Sequence, residues 1–315
     1  MISESLSIAI LIPCYNEEMT IADVVTSFRV HFPTARIYVY DNNSRDQTSA
    51  CAQRAGAIVR HEPRQGKGNV VRQMFADIDA DIYILADGDN AHPPEPAKIF
   101  VEFLIEQRLD MVVGTRIVGE KEGRRYHAFG NRVFNRLVEV LFHRGMSDVF
   151  SGYRVFNRRF VKTFPAISRG FEIEMELSVH ALDLRLPFAE IPFNYGERPE
   201  GSVSKLRTFH DGFRIAWRML ILLSETRPFR LFTWIAAAIL AFAIILGVPL
   251  VETFIETSTV PRFPTAFAVV GLIVLSGIVF TSGVILEGIA RFRRENKRLH
   301  YLAFSPFRTS HYDVK

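Results

Sequence analysis

The chain has 315 residues, enough for one full catalytic domain and a smaller appendage. A formal net charge of only +4 excludes a protein that gathers nucleic acid by bulk charge. Two cysteines, Cys14 and Cys51, have neither C-x-x-C spacing nor a His/Cys cluster around them, so a disulfide framework is excluded and a reducing compartment fits.

The apolar run from Leu6 to Pro13 has no basic residues before it and no small-residue cleavage site after it, so it reads as a buried strand rather than an export signal. Within it Ser7–Ile12 is the predicted strand, and a loop over Pro13–Glu18 leads to a helix over Thr20–His31. Arg36–Tyr40 is the next strand and runs into the turn-forming Asp41-Asn42-Asn43-Ser44. A helix from about Asp46 to Ala55, a short strand Ala57–Arg60, and a helix opened by Gly66-Lys67-Gly68 follow. Asp81–Ala86 is a further buried strand, ending at Asp87. Apolar strands separated by helices of this length predict an α/β fold, a mostly parallel sheet flanked by helices on both faces. Ligands of such sheets bind past the carboxyl ends of the strands, where Asp41 and Asp87 fall.

Beyond about Phe229 the texture changes, and the high mean hydropathy of +0.11 proves to be local. Leu231–Val251 carries no charge, and its length as a helix is roughly 30 Å, the thickness of a bilayer core. A second uncharged run covers Phe263–Leu286, after a loop holding Glu252, Glu256 and Arg262. Arg227 and Arg230 precede the pair, and Arg291, Arg293, Arg294, Lys297 and Arg298 follow it. The positive-inside rule then predicts a C-terminal two-helix transmembrane hairpin, both ends cytoplasmic, in the inner membrane of the cell. The predicted organisation is a catalytic domain over 1–208, an interfacial amphipathic helix over 209–228, two spans over 229–290 and a basic tail over 291–315. The 209–228 segment carries Arg214, Trp217 and Arg218 beside an apolar face, which suits either a headgroup layer or a domain surface.

Asp87-Gly88-Asp89 is the strongest chemical signal. Two carboxylates this close repel each other unless a cation lies between them, and oxygen ligands at a strand end suit Mg²⁺ or Mn²⁺ on a diphosphate. Pro13-Cys14-Tyr15-Asn16-Glu17-Glu18 also follows a strand directly. Tyr15 is placed either to pack a nucleobase or to cover the sheet edge, Glu17 to bind base or ribose, and Cys14 to fill space. Asp41 suits a base or ribose hydrogen bond, or a turn cap. Glu172, Glu174 and Glu176 are placed either to line a sugar pocket or, for Glu176, to face solvent. His92, His127, His180 and His210 have no metal spacing and read as structural, and Gly66-Lys67-Gly68 lacks the spacing of a P-loop.

Taken in order, I-P-C-Y-N-E-E, Y-D-N-N-S-R-D-Q-T, R-Q-G-K-G-N and D-G-D-N-A-H-P-P-E, then Val113-Gly114-Thr115-Arg116, Asp148–Arg154 and Glu197–Leu206, resemble glycosyltransferase family 2. Within it the match is to polyprenyl-phosphate glycosyltransferases related to dolichyl-phosphate mannosyltransferase. The resemblance implies a GT-A type fold and inverting transfer from a nucleotide-sugar, with UDP-hexose favoured over GDP, to a polyprenyl phosphate. It implies that Pro13, Tyr15, Glu17 and Asp41 hold the nucleoside and that Lys67 lies near the diphosphate. Asp87 and Asp89 would sit at the metal, Arg116 at the reacting phosphates, and Arg198, Ser204 and Lys205 at the lipid phosphate, with Arg124, Arg125 and Asn131 on a loop nearby. Asn42 and Ala91 depart from residues common in relatives, Asp and Gln respectively. A processive polysaccharide synthase would carry a Gln-x-x-Arg-Trp motif and more spans, and a non-catalytic scaffold would have no need of Asp87 and Asp89. No nucleic-acid partner is expected, and association through the hairpin leaves room for a homo-oligomer.

Overall fold

Residues 6–117, 145–196, 221, 227–260 and 262–307 are described by the computed structural model. The first strand, β1 (Ile8–Cys14), is buried along nearly its whole length, as an apolar strand covered on both faces must be. It is followed by α1 (Ile21–His31), whose Ile21, Val24, Val25 and Phe28 form one buried stripe at helical spacing. Next come β2 (Arg36–Asp41), α2 (Thr48–Arg54), β3 (Ile58–His61), α3 (Lys67–Asp77) and β4 (Ile82–Leu85). These seven elements match the sequence expectations in kind and differ by one or two residues at their ends. Side chains set those ends: Asp46 accepts the Thr48 amide at 3.0 Å, and Asp81 accepts Ser7 N at 2.9 Å and Ser7 Oγ at 2.7 Å.

The second half of the domain holds α4 (Pro94–Glu106), β5 (Met111–Arg116), β6 (Arg154–Asn157), α5 (Arg158–Thr163), α6 (Glu172–Asp183) and β7 (Phe188–Phe193). Pro94 opens α4 where a missing amide costs nothing, and Ala97, Phe100, Val101 and Leu104 bury its inner face. The seven strands are ordered β3-β2-β1-β4-β6-β5-β7, with β6 antiparallel to β4 and β5 and the other pairings parallel. In register, Cys14 stands beside Asp41, and Leu11 beside Leu85. The carboxyl ends of β1, β2 and β4 therefore open on one edge.

The described chain divides into two compact units, Met1–Gly212 with Lys297–Lys315, and Phe213–Asn296. In the second unit, α7 (Pro228–Thr257) and the first part of α8 (Phe263–Leu302) are each long and apolar enough to cross a membrane. Ser276 donates to the Ala236 carbonyl at 2.9 Å, and Gly283 lies against Phe232, so the two helices pack on each other. Their outward side chains are exposed and apolar, with Trp234, Ile245, Ile255 and Phe267 between 66% and 77% open. The segment expected as a basic tail is helical through Leu302, and within the first unit its Tyr301 and Phe307 are buried. Tyr301 donates to Asp110 at 2.7 Å beneath the Arg159 guanidinium, and Phe307 enters the core.

His180, on α6, is buried with both ring nitrogens unpartnered, edge-on to Phe160 and Phe164. Burial, with Lys297 nearby, pushes its pKa from 6.5 down to about 3. A depressed histidine favours the folded state above pH 6.5, and that contribution drains away as pH falls toward 3. The slope expected from this residue is at most about 1.4 kcal/mol per pH unit. Melting temperature measured from pH 7 to 4 should flatten in His180→Leu, and an unchanged profile would place the acid sensitivity elsewhere.

Candidate active site

Two loops are zipped together above the carboxyl ends of β1 and β2. Asn16, with φ of 53°, receives Arg45 N on its side chain at 2.8 Å and gives its own amide to Ser44 Oγ at 2.9 Å. Glu17 N donates to Thr48 Oγ1 at 2.8 Å, and Gln47 N to Glu18 Oε2 at 2.8 Å. Pro13, Tyr15 and Glu17 are half-buried on this rim. Asp41 is 5% exposed, with Oδ1 accepting Ser44 N at 2.9 Å and Oδ2 accepting Ser49 Oγ at 2.7 Å. It thus does the turn-holding work that the sequence left open beside nucleoside binding.

Asn42 ties this rim to the start of α3. Its amide nitrogen donates to the Glu62 and Arg64 carbonyls, each at 2.8 Å, and its oxygen accepts Gly66 N at 2.6 Å. Gly66 has φ of 126°, and a Cβ there would lie 2.3 Å from the Arg169 carbonyl oxygen, so only glycine fits. The next residue is Lys67, which this geometry aims inward.

Lys67 Nζ lies 2.6 Å from Asp87 Oδ1 and 2.6 Å from Glu174 Oε1. Burial disfavours its charge, but the two carboxylates outweigh burial and raise its pKa above the ordinary lysine range. Burial also raises the Glu174 pKa, and Lys67 opposes it. The Asp87-Gly88-Asp89 turn is held on three sides. Asp87 N donates to His92 Nδ1 at 2.9 Å, Thr20 Oγ1 donates to the Gly88 carbonyl at 2.6 Å, and Ala91 N donates to Asp89 Oδ1 at 3.2 Å. His92 stacks on Tyr153 at 4.7 Å, and burial, against the pull of Asp87 and Asp89, lowers its pKa to about 4. It is a neutral acceptor, which agrees with the structural role read from the sequence.

Arg116, at the end of β5, forms a bidentate pair with Asp148 at 2.7 and 2.8 Å. Its charge is felt at His92 and Glu174, so it belongs to the same edge. The sequence reading missed how the Asp148–Arg154 segment is fixed. Arg154 is fully buried and donates to the carbonyls of Ser151, Val149 and Glu174 and to Ser178 Oγ, at 2.8 to 2.9 Å. Glu176 does not face solvent: it is buried and accepts the amides of Ile167 and Ser168 at 3.0 and 2.8 Å. Arg198, Ser204, Lys205, Arg124, Arg125, Asn131 and residues 209–220 and 222–226 of the expected interfacial helix lie outside the described residues.

Gly152 shows how tight this centre is. A methyl group there would come within 3.0 Å of both Glu174 Oε1 and Lys67 Nζ and within 3.1 Å of Asp87 Oδ2. Gly152→Ala should therefore displace the ion pair and reduce turnover about tenfold, as contacts this close do in packed sites. Steady-state rates beside an unchanged melting temperature would check it, and a variant with full turnover would show that the centre has slack.

Among the described residues, no group of three or more His, Cys, Asp or Glu side chains is clustered for a metal. Asp87 and Asp89 fit a hard cation of the kind that takes one or two carboxylates and completes its shell with phosphate oxygens and water. The β3-β2-β1-β4-β6-β5-β7 sheet, with acidic side chains at the carboxyl edge of its parallel strands, is a GT-A-like α/β fold. The pattern of glycosyl transferase family 2 matches residues 9–164, and the chain belongs to that family. It is 49% identical over 155 residues to an uncharacterised protein of Shigella flexneri, covering 49% of this chain and 95% of that one. It is 28% identical over 222 residues to a dolichyl-phosphate hexose transferase of Haloferax volcanii, covering 70% of this chain and 95% of that one. In fold it is similar to the crystal structure of glucosyl-3-phosphoglycerate synthase from Mycobacterium tuberculosis in complex with Mn²⁺, UDP and phosphoglyceric acid. That likeness has a TM-score of 0.57 at 22% identity, over 70% of this chain and 78% of that one.

Proposed function

We propose that this glycosyltransferase moves a hexose, with inversion, from a nucleotide-sugar such as UDP-glucose to a polyprenyl phosphate such as undecaprenyl phosphate at the cytoplasmic face of the membrane. The observation that carries this reading is the Lys67–Asp87 pair beside Asp89, with two membrane-length apolar helices in the same chain. The Haloferax relative named for dolichyl phosphate supports the lipid acceptor, and the solved relative with Mn²⁺ and UDP supports the donor class and metal.

In this reading the rim of Pro13, Tyr15, Glu17 and Asp41 receives the nucleoside, and Lys67 faces the diphosphate. Asp87 and Asp89 would hold Mg²⁺ or Mn²⁺, which supplies positive charge against the diphosphate. A lipid phosphate is already ionised near neutral pH, so its oxygen attacks the anomeric carbon without a strong general base. The new bond forms between that oxygen and the carbon, while the bond to the diphosphate breaks and the nucleoside diphosphate leaves with the electron pair. Negative charge grows on the leaving group, and in this reading Lys67 stabilises it. Arg116 serves the reacting phosphates, and Arg198, Ser204 and Lys205 serve the acceptor phosphate, offsetting the repulsion between two anionic reactants. Basic residues flanking α7 and α8 orient the hairpin with the catalytic domain in the cytoplasm.

Detergent-purified protein incubated with undecaprenyl phosphate, Mn²⁺ and a panel of labelled nucleotide-sugars should give labelled lipid from one donor. No metal-dependent product from any donor would sink the reading.

A further inference from the structure

Lys67 lies between two acids, and only one of them stands on the turn that faces the diphosphate. Glu174 comes from the first turn of α6 and meets the same ammonium as Asp87. The Asp87 side chain is 28% exposed, whereas those of Glu174 and Lys67 are 11% and 8% exposed. The Glu174 carbonyl accepts the buried Arg154 guanidinium at 2.9 Å, and the bare backbone of Gly152 lies against the carboxylates of both Glu174 and Asp87.

An ammonium resting on Asp87 alone would neutralise that carboxylate and compete for its oxygens with any divalent cation. A second buried carboxylate changes the balance, because the ammonium retains a partner when Asp87 turns to other work. Burying a lone ammonium is costly, so without Glu174 the lysine would cling to Asp87. We infer that Glu174 is a positioning residue that anchors Lys67 and so leaves Asp87 available to the divalent cation. Lys67 keeps its charge and its place, and an ammonium has a third N–H for a phosphate oxygen once two are given to the acids. This rests on the metal-dependent reading above and adds to it a residue that no D-x-D motif contains.

The test is Mn²⁺ binding by the full chain in detergent with UDP present, read from the electron paramagnetic resonance signal of free Mn²⁺. Glu174→Gln should weaken Mn²⁺ binding about tenfold, the order of effect seen within one ion-pair network. Glu174→Asp, which keeps the charge, should recover most of the affinity. Glu176→Gln, a buried neighbour on the same helix that among the described residues holds the backbone amides of Ile167 and Ser168, should shift Mn²⁺ affinity by no more than about twofold. Equal Mn²⁺ affinity in wild type and Glu174→Gln overturns the inference, as does an equal loss in Glu176→Gln. Wild-type protein that binds no Mn²⁺ with UDP would remove the functional reading itself, a result distinct from a failure at Glu174 alone.

Discussion

Asp89→Asn is expected to lower sugar transfer about a thousandfold while leaving the fold in place. The substitution keeps the shape of the side chain and the Oδ1 atom that accepts the Ala91 amide, so the turn after β4 has no reason to open. What is lost is one negative charge on a residue only 7% exposed, where water screens little. A cation left with Asp87 alone would have one protein carboxylate where it had two. The melting temperature should stay within about 3 °C of wild type, a change well under what a lost buried contact causes. Added Mn²⁺ should not restore the rate. Turnover near wild type would remove Asp89 from the chemistry.

Arg154→Met should have the largest effect on stability, a loss of about 3–5 kcal/mol. The guanidinium is 0% exposed, and its removal strips donors from the carbonyls of Val149, Ser151 and Glu174 and from Ser178 Oγ. Buried acceptors left without donors cost far more than an ordinary surface hydrogen bond returns. Burial lowers the arginine's pKa to about 10, which still leaves it charged at neutral pH. For a domain of this size the loss corresponds to a fall in melting temperature of roughly 10 °C. The segment it holds presents Gly152 to the Lys67 centre and Asp148 to Arg116, so activity should fail before the global fold does. A melting temperature within about 2 °C of wild type would mean the segment is fixed by something else.

The first half of the domain was open to reading because each element there carries its own signal. Leu6–Pro13 and Asp81–Ala86 are continuous apolar runs of strand length, and Ile21–His31 has apolar residues at helical spacing. Parallel strands buried on both faces are written as such runs, and polar residues can then appear only past their ends. The second half was recognised through motifs rather than read as elements, since β5, β6 and α6 follow no clean period. Glu174, Glu176 and His180 lie on α6, whose buried residues run without interruption from Ile173 to Leu182, so no polar face marks its orientation.

By itself, the sequence determined the α/β class, the acidic turn after β4 and the apolar hairpin. Each of these depends on residues adjacent in the chain, where spacing alone carries the physics. Only the tertiary structure decided that Lys67 is shared by Asp87 and Glu174, that Asp41 holds its own loop, that Glu176 is buried, and that Arg154 ties the Gly152 segment down. Those roles arise between residues as many as 107 positions apart, and an ion pair of that kind leaves no local pattern, because its energy depends on a burial that only the folded chain creates.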